Sequence, residues 1–457
     1  MDAALTHADD HSDQFVGELK DFLRIPSVST DSAYADDVER AADWLADHLS
    51  EIGMNDSNVV ATDGHPIVYA EHVTDPDKPT VIVYGHYDVQ PPDPLDEWET
   101  DPFEPTRRNG SLYARGACDD KGQMFMHVKA AESYLKGEGE PPVNLKYVIE
   151  GEEETGSMAV GPFIEEHADR LDADVVLISD TAMFSEDTPS IVYGLRGLAY
   201  AEITLQGPNR DLHSGNYGGA VDNPANALGR IIAGLHGENH RITIPGFYDD
   251  VIDLTPEERE TYADLPFDKE AWMDALDIDD VRTEGDYTTL ECLSARPTLD
   301  VNGLWGGYTG EGAKTVLPSR AHAKLSMRLV PDQQVADIYD KLEAHLEQEV
   351  PDTMSFTMRR LHGGDPVLVD PSIPPMQAAK RAMGEVRGTE PVFVRNGGTI
   401  PVVATFQDTL GLDSVLMGFG LDSDAIHSPN EKFGLDRFLQ GIRAIIRFHQ
   451  HYADMNA

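Results

Sequence analysis

The sequence predicts an α/β protein in which a mainly parallel-sheet domain is interrupted by an inserted α+β domain. Three observations predict it. Continuous apolar runs of strand length alternate with helical patterns over residues 1–193, as in parallel sheets buried on both faces. Over residues 194–365 the strands alternate apolar with polar positions, the signature of a sheet with one wet face. From 366 to 457 the first style returns. The outer domain is therefore read as 1–193 with 366–457 and the insert as 194–365, and a chain of 457 residues ordinarily needs more than one core.

Taken in order, Phe15, Leu19, Phe22 and Leu23 recur at helical spacing and stop before Pro26, and Val38, Ala41, Leu45, Leu49 and Ile52 form a second helix closed by Gly53. "TVIVYGH", Thr80–His86, is a continuous buried-type strand. A helix over Lys121–Leu135, the strand "NLKYVIEG" at Asn144–Gly151 and the run "DVVLIS" at Asp174–Ser179 continue the alternation. In the insert, "GLAYAEITLQG" is strand-like and Ala225–Leu235 helical, while Ala321, Ala323, Leu325, Met327 and Leu329 alternate with polar neighbours. A helix at Gln333–Glu349 and the strand "TMSFTMRRL" follow, an order that suggests a ferredoxin-like arrangement. The last helix runs through Phe438, Ile442, Ile445 and Ile446.

Acidic residues number 82 against 35 basic, for a net charge of −47 spread along the whole chain. Such a field repels nucleic acid and anionic membranes, so neither is an expected partner. An acidic coat of this density points to a halophilic protein, whose self-repulsion is screened by a salt-rich cytoplasm. Two cysteines cannot build a disulfide framework. The acidic start "MDAALTHADDHSDQFV" has no apolar core of a secretory signal. No apolar run approaches the ~18 residues of a membrane span. The expectation is a cytoplasmic protein.

Several strands run out into groups that carry chemistry. His86 and Asp88 in "GHYDVQPP" are two apart, so in extended chain both leave on one side. Taken alone, such a pair reads first as a hydrogen-bonded surface pair. In "ARGACDDKG" one of Asp119 and Asp120 reads as a helix N-cap, leaving the other to face a metal. "IEGEEETGS" and "LISDT" place Glu153, Glu154 and Asp180 directly after buried-type strands, where open α/β sheets bind ligands. Carboxylates gathered there repel and raise one another's pKa unless a cation lies among them. His427, in "GLDSDAIHSPNEKF", completes a mixed nitrogen and oxygen set for two divalent ions.

The strings HYDVQP, RGACDDKG, EGEEETGS, SD, RDLHSG, GAKTVLP, RLVP, GGTIP and IHSPNEK occur in this order from residue 86 to 432. Together they resemble the M20 metallopeptidases, in particular the carnosinase and cytosolic nonspecific dipeptidase branch. The resemblance implies a catalytic domain with two divalent ions per subunit (Zn²⁺ or Mn²⁺, with Co²⁺ also suited) and an inserted lid domain that makes a homodimer. It implies one metal held by His86, Asp119 and Asp180 and the other by Asp119, Glu154 and His427. A cis peptide is implied between Asp119 and Asp120. Glu153 then matches the general base and Asp88 the carboxylate behind the His86 ring. His213 resembles a residue that reaches the partner subunit's active site, and Arg328, Thr315 and Thr399 resemble groups that hold the substrate carboxylate. The implied activity is hydrolysis of dipeptides, with an N-acyl-amino-acid deacylase or desuccinylase as the alternative. Asn396 in "RNGG" departs from the branch, which usually carries an acid there, and Cys118 reads as a small buried side chain.

Overall fold

The computed structural model describes residues 1–456 and divides into two compact units. The first takes in Met1–Tyr193, Val369–Val394 and the chain from Thr405 on; the second takes in Gly194–Leu368 and Arg395–Ala404. The second unit thus also claims Arg395–Ala404, a stretch the sequence reading put in the outer domain.

In the first unit the strands lie in the order Asp56–Val60, Ile67–His72, Asn144–Glu150, Thr80–His86, Val175–Ile178, Ser414–Leu416 and then the strand beginning at Ser190. The four central strands are parallel. The flanks are antiparallel, a mixture that apolar runs alone do not reveal. Val81 to His86 are all buried, as continuous apolar runs require. His86 stands opposite Glu150, and Tyr84 opposite Ile178. The carboxyl ends of three neighbouring strands therefore reach the same edge, where open α/β sheets bind ligands. The Lys121–Gly137 helix packs on Thr80–His86, and the Leu435–Met455 helix packs on that helix. Gly53 closes the Ala35–Ile52 helix at φ 113°, a conformation only glycine adopts without strain.

Two readings need correction. The strand-like run before Asp119, expected to end beside the other carboxylate-bearing strands, instead belongs to a separate three-stranded sheet of Thr106–Arg108, Ser111–Tyr113 and Lys432–Gly434. Neither aspartate is a side-chain cap: Asp120 holds the N-cap position of the Lys121–Gly137 helix, but its carboxylate accepts from the His86 backbone N–H at 3.2 Å. A demand from the neighbouring strand overrides the local capping preference.

The second unit carries a four-stranded antiparallel sheet in the order Thr298–Gly306, Arg320–Leu329, Gly197–Gln206, Ser355–Gly364. The helices Pro224–Gly234 and Val335–Glu349 cover one face, through Leu228, Ile231, Leu342 and Leu346 among others. This is a ferredoxin-like β-α-β-β-α-β arrangement. The predicted alternation holds along Arg320–Leu329, with Ala321, Ala323, Leu325, Met327 and Leu329 buried. Three short helices between Pro256 and Ser294 were not foreseen; their apolar faces are small and buried residues few.

Two fully buried histidines make the first unit sensitive to acid. Burial lowers His127 and His449 to about 3 each, so both are neutral in the folded protein. Between pH 6.5 and 3 the unfolded chain binds protons that the folded chain refuses. Stability then falls with pH by at most about 1.4 kcal/mol per unit for each histidine. Above pH 6.5 neither contributes. In chemical denaturation across this range, His449→Phe is expected to flatten the acid slope by about one proton; an unchanged slope contradicts the assignment.

Candidate metal centre

Five segments of the first unit bring their polar ends together. The strand Thr80–His86 delivers His86 and the turn after it Asp88. Asp119 comes from the loop before the Lys121–Gly137 helix, Glu153 and Glu154 from a short 3₁₀ turn, Asp180 from the end of Val175–Ile178, and His427 from a loop before the last helix.

Asp119 is the meeting point. Its Oδ1 lies 3.2 Å from His86 Nε2 and its Oδ2 2.8 Å from His427 Nε2. Asp180 Oδ2 lies 3.9 Å from His86 Nε2, and Glu154 Oε2 lies 3.3 Å from His427 Nε2. Two donor triads result, His86 with Asp119 and Asp180, and Asp119 with Glu154 and His427; in each, the donor atoms lie within 4.8 Å of one another. The Asp119–Asp120 peptide is cis.

Asp88 is fully buried and does two things. Its backbone carbonyl lies 3.1 Å and its Oδ1 3.2 Å from His86 Nδ1, and together they turn Nε2 toward Asp119. It also accepts from the backbone N–H groups of Glu153 at 3.2 Å and Glu154 at 3.1 Å, and from Ser29 Oγ at 2.5 Å. The second task was not read from the sequence, nor was Gln90, whose Nε2 donates to Glu154 Oε2 at 2.7 Å. Gln90 sits two residues past Asp88 in the segment that follows the strand, a spacing that could have flagged it.

The charges explain why the cluster needs cations. Burial, reinforced by Asp119 and Glu154, pushes Asp180 up to about 7. Burial again, opposed by His86 but reinforced by Asp180, Glu154 and Asp119, pushes Glu153 up to about 9. Hydrogen bonds to Asp119 and Glu154 raise His427 to about 10. His86 is disfavoured as a cation by burial, yet its bonds to Asp119 and Asp88 hold it well above the usual range. Asp119 is pushed up by burial, but the two imidazoles outweigh this and keep it ionised. Each triad offers one imidazole nitrogen and two carboxylate oxygens, a donor set that fits a borderline divalent ion.

A third acidic group shows the alternative solution. Glu18, His48 and Glu132 also converge, but Lys129 Nζ lies 2.6 Å from a donor atom of each. The fully buried ammonium is that cluster's cation, and it leaves a metal no place there.

The remaining expected residues belong to the second unit. Arg328 Nη1 donates to Thr399 Oγ1 at 2.9 Å, and Thr399 Oγ1 donates to the Arg196 carbonyl at 2.5 Å. His213 lies exposed in a two-residue ladder with Val316, and the Thr315 carbonyl accepts from Ser214 N at 3.1 Å. Asn396 Oδ1 accepts from Gly398 N at 2.8 Å, shaping the turn that precedes Thr399. Cys118 is buried and free, with Sγ 3.6 Å from Asp424 Oδ2.

The profile of peptidase family M20/M25/M40 matches residues 82–451. The Cys-Gly metallodipeptidase dug1 of Schizosaccharomyces pombe is 35% identical, covering 98% of this chain and 97% of its own. The human Beta-Ala-His dipeptidase is 33% identical over 100% of this chain and 93% of its own. The solved structure of the M20 family metallo-carboxypeptidase Sso-CP2 from Sulfolobus solfataricus superposes with a TM-score of 0.86 at 35% identity, covering 96% of this chain and 99% of that one.

Groups that hold protons this firmly must release them to a cation. Titration of the protein with Mn²⁺ or Zn²⁺ at pH 7.5, followed calorimetrically in buffers of different ionisation enthalpy, is expected to release about two protons. Binding without proton release contradicts the charge assignment.

Proposed function

The chain belongs to peptidase family M20, and on that premise we propose that it hydrolyses the peptide bond of dipeptides, with one divalent ion held by His86, Asp119 and Asp180 and a second by Asp119, Glu154 and His427. The observation that carries this reading is the pair of donor triads sharing Asp119, in a chain whose full-length relatives include dipeptidases. Zn²⁺ and Mn²⁺ suit such a set, and Co²⁺ does as well.

Ions held by these residues would supply Lewis-acid chemistry, activating a water near neutral pH and polarising the substrate carbonyl. Glu153 takes the attacking water's proton and delivers it to the leaving amine. Asp88 fixes the His86 ring and, through two backbone N–H groups, the turn that carries Glu153 and Glu154. Arg328, with Thr399 and Thr315, holds the substrate carboxylate, for which a planar guanidinium is suited.

The outer domain is the catalytic one and the insert the lid. A homodimer is supported by the edge strand Thr298–Gly306 and the turn after it, where Leu304, Trp305 and Tyr308 are 56%, 42% and 46% exposed. In that dimer the partner subunit's His213 stabilises the oxyanion. Among the described residues no helix is long and apolar enough to cross a membrane. The net charge of −47 supports a salt-rich cytoplasm as the working environment.

The deacylase and desuccinylase alternative is not favoured, since the full-length relatives carry peptidase names. The carboxypeptidase among them puts longer peptides into the test. With Mn²⁺ or Zn²⁺ in molar KCl, dipeptides are expected to turn over faster than tripeptides, tetrapeptides, and N-acetyl or N-succinyl amino acids. Turnover of the acylated set alone overturns the reading. Glu153→Gln is expected to keep both ions by metal analysis while kcat falls about a thousandfold; undiminished turnover removes Glu153 from its role.

A further inference from the structure

We propose that Glu431 is a positioning residue: its carboxylate ties the 114–119 loop to the 427–431 loop, so that Asp119 and His427 present their donor atoms together. The inference rests on the metal centre proposed above and concerns a residue outside both triads.

Glu431 is fully buried and accepts four hydrogen bonds. Its Oε2 takes Arg115 Nη1 at 2.8 Å and the Gly116 backbone N–H at 2.9 Å. Its Oε1 takes the backbone N–H groups of Cys118 at 2.9 Å and Asp119 at 3.1 Å. The loop answers with Ala114 N, which donates to the Glu431 carbonyl at 3.1 Å. The 114–119 segment is thus wrapped around one side chain, and the last group it holds is the N–H of Asp119 itself.

Both loops are held from outside as well. Arg115 Nη2 donates to the Pro91 carbonyl at 3.1 Å, on the turn that follows His86 and Asp88. Gly116 has φ 79°, and a Cβ there would lie 2.6 Å from Val89 Cγ1, so the wrap closes only with glycine. Asn430, beside Glu431, donates from Nδ2 to the Glu97 carbonyl at 2.8 Å and accepts from Glu99 N at 2.9 Å. Between these anchors His427 Nε2 meets Asp119 Oδ2 at 2.8 Å. An amide in place of the Glu431 carboxylate would turn an NH₂ group toward two N–H donors, so the wrap would open on one side.

The test separates positioning from mere stability. Full-length protein and E431Q are titrated with Co²⁺ in molar KCl at pH 7.5, followed by visible absorption, and both are melted. The wild type is expected to bind two ions. In E431Q affinity is expected to fall 10- to 100-fold, as when partners of metal ligands are removed, with an altered absorption spectrum. E132Q, which weakens the buried Lys129 cluster, is expected to lower the melting temperature while leaving Co²⁺ affinity unchanged. Wild-type affinity in a folded E431Q overturns the positioning role. A wild type that binds no Co²⁺ overturns the metal centre instead. Should E431Q not fold, E431D, whose carboxylate is one methylene too short to keep both oxygens on the 114–119 loop, carries the test: a weakening of about tenfold is expected, and wild-type affinity there overturns the proposal equally.

Discussion

Negative charge gathered around Asp119 is the constraint on which the first unit is built. Asp119, Glu153, Glu154 and Asp180 share a space that is largely closed to water, and burial and repulsion drive two of them toward protonation. The positive partners drawn in are the imidazoles of His86 and His427. The Glu18, His48 and Glu132 group poses a similar problem and solves it with Lys129, a cation the chain carries itself. One cluster is thereby finished by folding. The other is finished by divalent ions under the function proposed for it.

Holding such a set requires rigid loops, and the fold supplies rigidity with further buried carboxylates. Asp88 gathers the His86 ring and the backbone of Glu153 and Glu154; Glu431 gathers Arg115 and the backbone of Gly116, Cys118 and Asp119. Each stands behind a donor and accepts N–H groups that would otherwise be unsatisfied in the interior. The parallel strands bring His86, Glu150 and Ile178 to one edge, but the final placement of donors is the work of loops pinned by these two side chains.

Much of this is legible in the sequence because it is local. The run Thr80–His86 announces a strand buried on both faces, and the alternation at Ala321–Leu329 announces one with a single wet face. His86, Glu153, Glu154 and Asp180 stand out by type and by standing at the ends of apolar runs, and Asp119 and His427 by the strings around them. What escapes is set by partners far along the chain. The carboxylate of Asp120 goes to the His86 backbone, 34 residues away, instead of capping its own helix. Glu431 reads as one more acid among 82 until Arg115, 316 residues distant, is seen against it. The antiparallel flanks escape as well, because pairing direction leaves no trace in a short apolar run.

The most direct measurement is an anomalous-difference map from crystals grown with Mn²⁺ or Zn²⁺ and recorded at the metal's absorption edge. Two peaks are predicted on either side of the Asp119 carboxylate, one reached by His86 and Asp180 and the other by Glu154 and His427. A map with no ion among these five side chains, in crystals whose metal content is established, would contradict the account.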